Sequence, residues 1–233
     1  MKWDSGPQAM KLSIIVPVMN EAHELPALLE RLLPLVRRGC EVIIADGGSE
    51  DGSTDIAECA GFTVVRAPRG RARQMNAGAA HATGAALLFL HADTCVPEGA
   101  GVLVDQALSG GAHRWGRFDV RIAGRPAMLR VVGRMMNLRS RLTGIATGDQ
   151  AMFVTRAAFE AVGGFPDQPL MEDVELSKRL RAISRPARIA RCVITSGRRW
   201  ETRGVWRTIF LMWRLRWDYW RGVPASQLAE AYR

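Results

Sequence analysis

The stretch from Gly84 to Thr94 constrains this chain more than any other. Ala85 to Leu90 is an unbroken apolar run that gives way at once to His91-Ala92-Asp93. Such a run reads as a strand buried on both faces of a sheet. Open α/β sheets place their ligands just beyond the carboxyl ends of their strands. A carboxylate at that point, Asp93, is placed to hold a divalent cation against a phosphate. It could equally start the helix that follows Pro97.

The preceding residues repeat the same grammar. Leu12 to Val18 is an apolar, β-rich run stopped by Asn20-Glu21. Helical spacing follows, with Leu25, Leu28, Leu29, Leu32, Leu33 and Val36 on one face, and Gly39 ends it. Glu41 to Ala45 is a second strand with the polar loop Asp46–Ser53 at its tip, and Phe62 to Val65 is a third. A basic loop, Arg66 to Arg73, then leads into a short helix through Asn76 and Gly78. Alternating strand and helix predicts one α/β domain: a mainly parallel, Rossmann-like sheet with helices on both faces and right-handed crossovers.

Three strand tips therefore carry Glu21, Asp46 and Asp93, and one crossover carries Arg69, Arg71 and Arg73. In a parallel sheet these tips share an edge. Together they offer carboxylates for a nucleoside, a carboxylate for a metal and arginines for a diphosphate. Asp46-Gly47-Gly48 is also a good turn whatever it binds. A Rossmann dinucleotide site is disfavoured, because Asn20-Glu21-Ala22-His23 stands where the glycine fingerprint would be.

In the second half, Trp115 to Ile122 reads as a strand and Pro126 opens a helix. Met128, Val131, Val132, Met135 and Met136 are expected on its buried side, opposite Arg130, Arg134 and Arg141. Met171 to Leu176 starts another helix with Glu172 and Asp173 in its first turn, where the macrodipole favours carboxylates on its own. In the tail, Trp206, Ile209, Phe210, Trp213, Trp217 and Trp220 form one stripe, while Leu211, Met212, Leu215 and Tyr219 populate the opposite side. A helix lying on a core needs only one apolar face. The second is expected to meet a partner subunit or a lipid interface, so the 203–221 helix is a candidate for homodimer or peripheral membrane contact.

Net charge is +9 over 233 residues, carried almost entirely by arginine. That excess suits a phosphorylated substrate, nucleic acid or an anionic membrane. Carboxylates at three strand tips would repel phosphates without a metal, which argues against a nucleic-acid or other purely binding module. Cys40, Cys59, Cys95 and Cys192 are scattered, with no Cys-x-x-Cys pair, so reduced thiols in a cytoplasmic setting are expected. No secretory h-region is seen in residues 1–10, and no uncharged run approaches the ~20 residues of a spanning helix.

Residues 12 to about 200 resemble the family 2 glycosyltransferases, inverting enzymes of the GT-A fold that use nucleotide sugars. The resemblance is carried by Ser13–Pro17 with Asn20-Glu21, Ala45–Ser49, Arg73 with Asn76 and Gly78, and His91-Ala92-Asp93. Gly47 departs from the family's adjacent aspartates, and His91 stands in the first position of its Asp-x-Asp metal motif. The resemblance implies that Pro17, Glu21, Asp46 and Gly48 line the nucleoside, and that Arg73 and Asn76 serve the diphosphate. It implies a divalent metal, Mn²⁺ or Mg²⁺, at Asp93. Gly148 to Val154, with Asp149, is similar to the strand lining the donor sugar and acceptor pocket. Gly163–Pro166 is similar to the turn before the catalytic acid. Glu172-Asp173 matches the family's Glu-Asp motif, which makes Asp173 the general base and Glu172 its neighbour. Ser196–Trp200 keeps Arg199 and Trp200 of the processive members' Gln-x-x-Arg-Trp motif but lacks the glutamine, so transfer of one sugar is expected.

The function implied is transfer from a nucleotide-diphosphate sugar, UDP-linked by preference, to an acceptor hydroxyl. A sugar-phosphate nucleotidylyltransferase of similar fold and a basic membrane-surface module are the alternatives. The His91–Thr94, Met171–Leu176 and Arg198–Glu201 stretches are similar to a bacterial subgroup associated with radical SAM and arsenosugar genes. The expected organisation is an extension over 1–11, a catalytic domain over 12–200 with halves 12–94 and 95–200, and a helical tail over 201–233. The protein is expected in the cytoplasm, free or peripheral to the inner face of the membrane.

Overall fold

The computed structural model describes residues 10–232, so most of the expected 1–11 extension lies outside the described residues. The first half alternates as its pattern requires: β1 (Leu12–Val18), α1 (Leu25–Arg37), β2 (Glu41–Asp46), α2 (Ser53–Cys59), β3 (Thr63–Arg66), α3 (Arg71–His81) and β4 (Ala86–Phe89). The second half runs β5 (Thr94–Cys95), α4 (Ala100–Ser109), β6 (Trp115–Ala123), α5 (Met128–Thr143), a single 3-10 turn (Gly148–Gln150), β7 (Met152–Thr155), α6 (Arg156–Ala161), α7 (Glu172–Ile183) and β8 (Ala187–Ser196). Three helices close the chain: α8 (Arg198–Arg203), α9 (Val205–Trp220) and α10 (Ala225–Tyr232). The expected boundary at 200 falls inside α8.

Among the described residues the strands form one sheet in the order β3-β2-β1-β4-β7-β6-β8-β5. Side-chain alternation divides the core in two. Ile14 and Val16 pack with α1 and α4 on one face, whereas Ile15 packs with α3, α6 and α7 on the other. The pairs among β1, β2, β3 and β4 are parallel, with Val18 opposite Asp46. β7 runs antiparallel to both β4 and β6, and β5 antiparallel to β8. A strand–helix alternation specifies element type and not strand direction, so the sequence did not disclose this mixed half. α3 lies tight on β1 because Gly78 has no side chain; a Cβ there would sit 2.5 Å from Ile15 Cγ2.

Two helices differ from their expected faces. In α1, Leu35 is buried while Val36 is exposed. In α5 the inner face is Leu129, Gly133, Asn137 and Ser140, and the expected Val131 and Met135 are exposed. The cause is close backbone approach. A Cβ on Gly133 would lie 3.3 Å from the Val120 carbonyl. Asn137 accepts from Val120 N at 2.8 Å and donates to Val120 O at 3.0 Å. The helix is docked by side-chain bonds to a strand backbone, which a hydrophobic periodicity does not register.

The tail does have two apolar faces. Leu211, Met212, Leu215 and Tyr219 pack with Leu170, Met171 and Leu228. Trp206, Phe210, Trp213, Trp217 and Trp220 face outward, each 57% to 74% exposed. Among the described residues no helix is long and apolar enough to cross a membrane, and the four cysteines are free.

Candidate functional site

The loops after β1 and β2 are laced together. The amides of Asn20, Glu21 and Ala22 donate to Ser49 Oγ, Ser53 Oγ and Asp51 Oδ2 at 2.9, 3.0 and 2.8 Å. Asp46 is buried beneath its own loop and accepts from Gly48 N at 2.9 Å and Ser49 N at 3.1 Å. Its carboxylate is thus spent on turn chemistry, with Gly48 in the left-handed region at φ +94°. Pro17, opposite Ala45 in the register, is half-buried at the same end of the sheet. Gly47 has a clear reason to be glycine: a Cβ would lie 2.8 Å from Gln74 Cδ. The buried Gln74 amide donates to Val18 O at 2.7 Å and Ala45 O at 2.9 Å, plugging the gap between the two tips. Sequence reading passed over Gln74, because a lone glutamine on a helix carries no pattern.

Two residues expected at the diphosphate hold the protein to itself. Arg73 grips Asp167 with Nε and Nη2 at 2.8 and 2.9 Å. The Asn76 amide donates to Phe165 O at 2.8 Å and accepts from Phe165 N at 2.9 Å. They tie α3 to the turn that precedes α7. Arg71, also on that crossover, lies 3.5 Å from Glu172.

The acids converge at the start of α7. Met171, the residue before it, adopts φ +64°, an uncommon conformation for a non-glycine residue. Asp173 accepts from Gly148 N through Oδ2 and from Val174 N through Oδ1, both at 2.7 Å. Glu172 is buried, and burial together with the Asp173 charge raises its pKa above the usual carboxylate range, with Arg71 opposing. His91 and Gly148 line the same small cavity of about 10 Å³ as Glu172 and Asp173. His91 Nδ1 also lies 3.5 Å from Asp149. Burial works to raise the Asp149 pKa, but the His91 bond and the fields of Arg71 and Arg199 prevail and hold it low.

Asp93 lies at the rim, exposed, with Oδ1 accepting from Thr94 Oγ1 at 3.2 Å. Burial raises the pKa of Glu21; Arg198 opposes the rise, and the nearby Asp93 charge reinforces it. Arg199 acts on both Asp93 and Asp149, and its guanidinium stacks on Tyr232 at 4.2 Å. Trp200 is half-buried beside it. Electrostatics link Asp93 to Asp149 through Arg199, and Asp149 to Asp173 through Arg139 and Arg216, while Asp173 and Glu172 line the cavity itself. Among the described residues no group of three or more His, Cys, Asp or Glu is disposed to cage a metal. The donor set fits a looser arrangement, one exposed carboxylate whose cation takes its remaining oxygens from water and substrate phosphates.

The pattern of Glycosyl transferase family 2 matches residues 13–158. An undecaprenyl-phosphate 4-deoxy-4-formamido-L-arabinose transferase of Klebsiella pneumoniae is 33% identical over 159 residues, covering 61% of this chain and 47% of that protein. The chain thus spans about half the length of the curated relatives it matches. A succinoglycan biosynthesis protein of Rhizobium meliloti is 49% identical over 45 residues, 19% of this chain and 14% of that one. Among solved structures, a Pyrobaculum calidifontis mannosyltransferase in complex with GDP-Man and Mn²⁺ superposes with a TM-score of 0.65 at 20% identity, covering 93% of this chain and 64% of that chain. Staphylococcus aureus TarS in complex with UDP gives 0.63 at 19%, with 80% and 60% covered. Both share the GT-A fold of a single α/β domain. The chain belongs to glycosyl transferase family 2.

Proposed function

We propose that this chain moves one sugar from a nucleotide-diphosphate sugar to a membrane-linked acceptor, with inversion and without processivity. The observation that carries the reading is Asp173, held by the Gly148 and Val174 amides on the wall of the cavity it shares with Glu172 and His91. For a hydroxyl acceptor, the oxygen attacks the anomeric carbon while its proton passes to the Asp173 carboxylate. The bond from that carbon to the diphosphate breaks, and its electron pair leaves on the phosphate oxygen. Arg71 and Arg199 offset the charge growing there. Asp93 would hold a divalent cation, which supplies Lewis-acid neutralisation of the leaving diphosphate when bound. Glu172, 3.5 Å from Arg71 and with its pKa raised by burial and the Asp173 charge, stands beside the base as a contact for the acceptor or sugar.

The donor reading is supported by neighbours of this fold bound to GDP-Man with Mn²⁺ and to UDP; a UDP-sugar is our preferred donor. The membrane-linked acceptor is supported by the names of the Klebsiella relatives and by the outward Trp–Arg face of α9. The same two observations support a peripheral membrane location, which we place at the inner face. The subgroup associated with radical SAM and arsenosugar genes is supported by the His91–Thr94, Met171–Leu176 and Arg198–Glu201 stretches. The catalytic unit is proposed as 12–200, with 201–233 as its membrane-facing tail.

A thermal-shift panel of nucleoside diphosphates, with and without Mn²⁺, tests the donor site. One nucleotide should stabilise the protein, and more so with metal. A panel with no stabilisation in any combination would remove the transferase reading.

A further inference from the structure

Two arginines near the acids of the cleft make no side-chain hydrogen bond or ion pair among the described residues. Arg139 projects from α5 and Arg216 from α9, and each lies within the field of Asp173 and Asp149. Nε and Nη2 of Arg139 are buried and, among the described residues, have no hydrogen-bond partner. Burial and the neighbouring Arg216 push the Arg139 guanidinium down to about 9, still charged at neutral pH. Asp173 and Asp149 offset part of the pair's charge through space, but neither accepts a hydrogen bond from the buried Arg139 Nε and Nη2, which therefore lack an acceptor. Buried donors without acceptors are costly, and two like charges placed together add to the cost. An arrangement of this kind is relieved by an anion.

That anion is not the donor diphosphate. The cations on the donor side are Arg71, bound to Glu172, Arg198, which acts on Glu21, and Arg199, which acts on Asp93 and Asp149. Arg139 and Arg216 share the field of Asp149 with those cations but act on Asp173 as well, and their helices carry exposed apolar residues: Leu138 and Leu142 on α5, Trp213 and Trp217 on α9. Arginine forks match phosphate geometry, and apolar rims suit what a phosphate on a lipid would carry with it.

We propose that Arg139 and Arg216 form an acceptor subsite that takes a phosphomonoester, next to the Asp173 carboxylate. This inference rests on the transferase reading, since it places the anion on the acceptor of that reaction. The phosphate can come from two sources. In a polyprenyl monophosphate the phosphate oxygen is itself the nucleophile, and no proton need pass to Asp173. In a soluble phosphorylated hydroxy acid the phosphate is the handle and a hydroxyl attacks.

The full chain, saturated with UDP and Mn²⁺, is titrated with inorganic phosphate, with a short-chain polyprenyl monophosphate and with phosphoglyceric acid, followed by thermal shift. The wild type should bind phosphate with the nucleotide already in place. Arg139→Gln and Arg216→Gln should each weaken that binding about tenfold, the scale of one lost charge-assisted bond. Arg139→Lys, which keeps the charge, should recover part of it, and UDP affinity should stay within about twofold throughout. The arm that shows the arginine-dependent loss, together with a raised acceptor KM at unchanged donor KM, identifies the source. Equal phosphate affinity in wild type and in an Arg139→Gln, Arg216→Gln double variant that still binds UDP overturns the subsite, as does a parallel loss of UDP affinity. A wild type that binds no nucleotide fails the transferase reading instead, so the two failures are separable.

Discussion

Replacing Asp173 by asparagine separates its chemical role from its structural one. The carboxylate accepts from Gly148 N and Val174 N at 2.7 Å each. Asparagine retains one acceptor oxygen and turns an NH₂ group toward the other amide. One partly buried donor is left without an acceptor, a cost of about 1–3 kcal/mol. Against this, the charge that helps raise the pKa of the buried Glu172 disappears, and its repulsion is relieved. A net loss of about 1–2 kcal/mol corresponds to a fall in Tm of about 2–8 °C for a chain of this length. The protein stays folded at assay temperature, so stability cannot account for a large loss of turnover. Removing a general base costs about 10²–10⁴ in rate. The assay is release of UDP from a UDP-sugar with a hydroxyl acceptor, beside UDP affinity by titration. Asp173→Asn should lose turnover on that scale and bind UDP as the wild type does. Turnover within about threefold of wild type, with UDP affinity intact, would refute Asp173 as the base.

Further outcomes can be checked separately. Asp93→Ala should abolish the additional stabilisation that Mn²⁺ gives to UDP in a thermal-shift assay while leaving a weaker metal-independent shift. Asp119 is buried and accepts from Arg117, Arg141 and Arg188; burial raises its pKa, but these bonds prevail and hold it low. The folded chain therefore binds fewer protons here than the unfolded one, so this contribution is complete above the ordinary aspartate value of about 3.9 and fades as pH falls through the folded value. Asp119→Asn should flatten the acid limb of a Tm–pH curve and lower stability at neutral pH by about 3–5 kcal/mol, since three cations lose their shared acid; an unchanged acid limb would contradict the account. Trp213→Glu with Trp217→Glu should cut binding to anionic vesicles by about tenfold or more with little change in Tm. Unchanged vesicle binding with a dimer converted to monomer would make the stripe a subunit contact instead.

The sequence made the sheet ends legible because strand termination and acid placement are local. Leu12–Val18 and Ala85–Leu90 could hardly be anything but buried strands, and the acids beyond them had to fall at the sheet edge. It did not show which acids would be free. Asp46 is absorbed by two amides of its own loop, and Arg73 by an aspartate 94 residues away. Long-range pairing leaves no periodic trace. Arg139 and Arg216 escaped for the same reason: an arginine on a helix reads as solvated until the neighbouring helices are known. α5 misled because its docking depends on a missing side chain, at Gly133, and on an amide, at Asn137.

The grip of Arg73 on Asp167 carries a consequence for the order of events. Nε and Nη2 are already committed to a carboxylate, so on the proposed assignment a two-pronged grip on a pyrophosphate through those same atoms would require letting go of the turn that leads into α7. Both partners are exposed, so the exchange is between two wet ion pairs of similar strength, and it can run readily in either direction. In the proposed reaction, such a release on nucleotide binding would loosen the approach to Glu172 and Asp173 before the acceptor arrives.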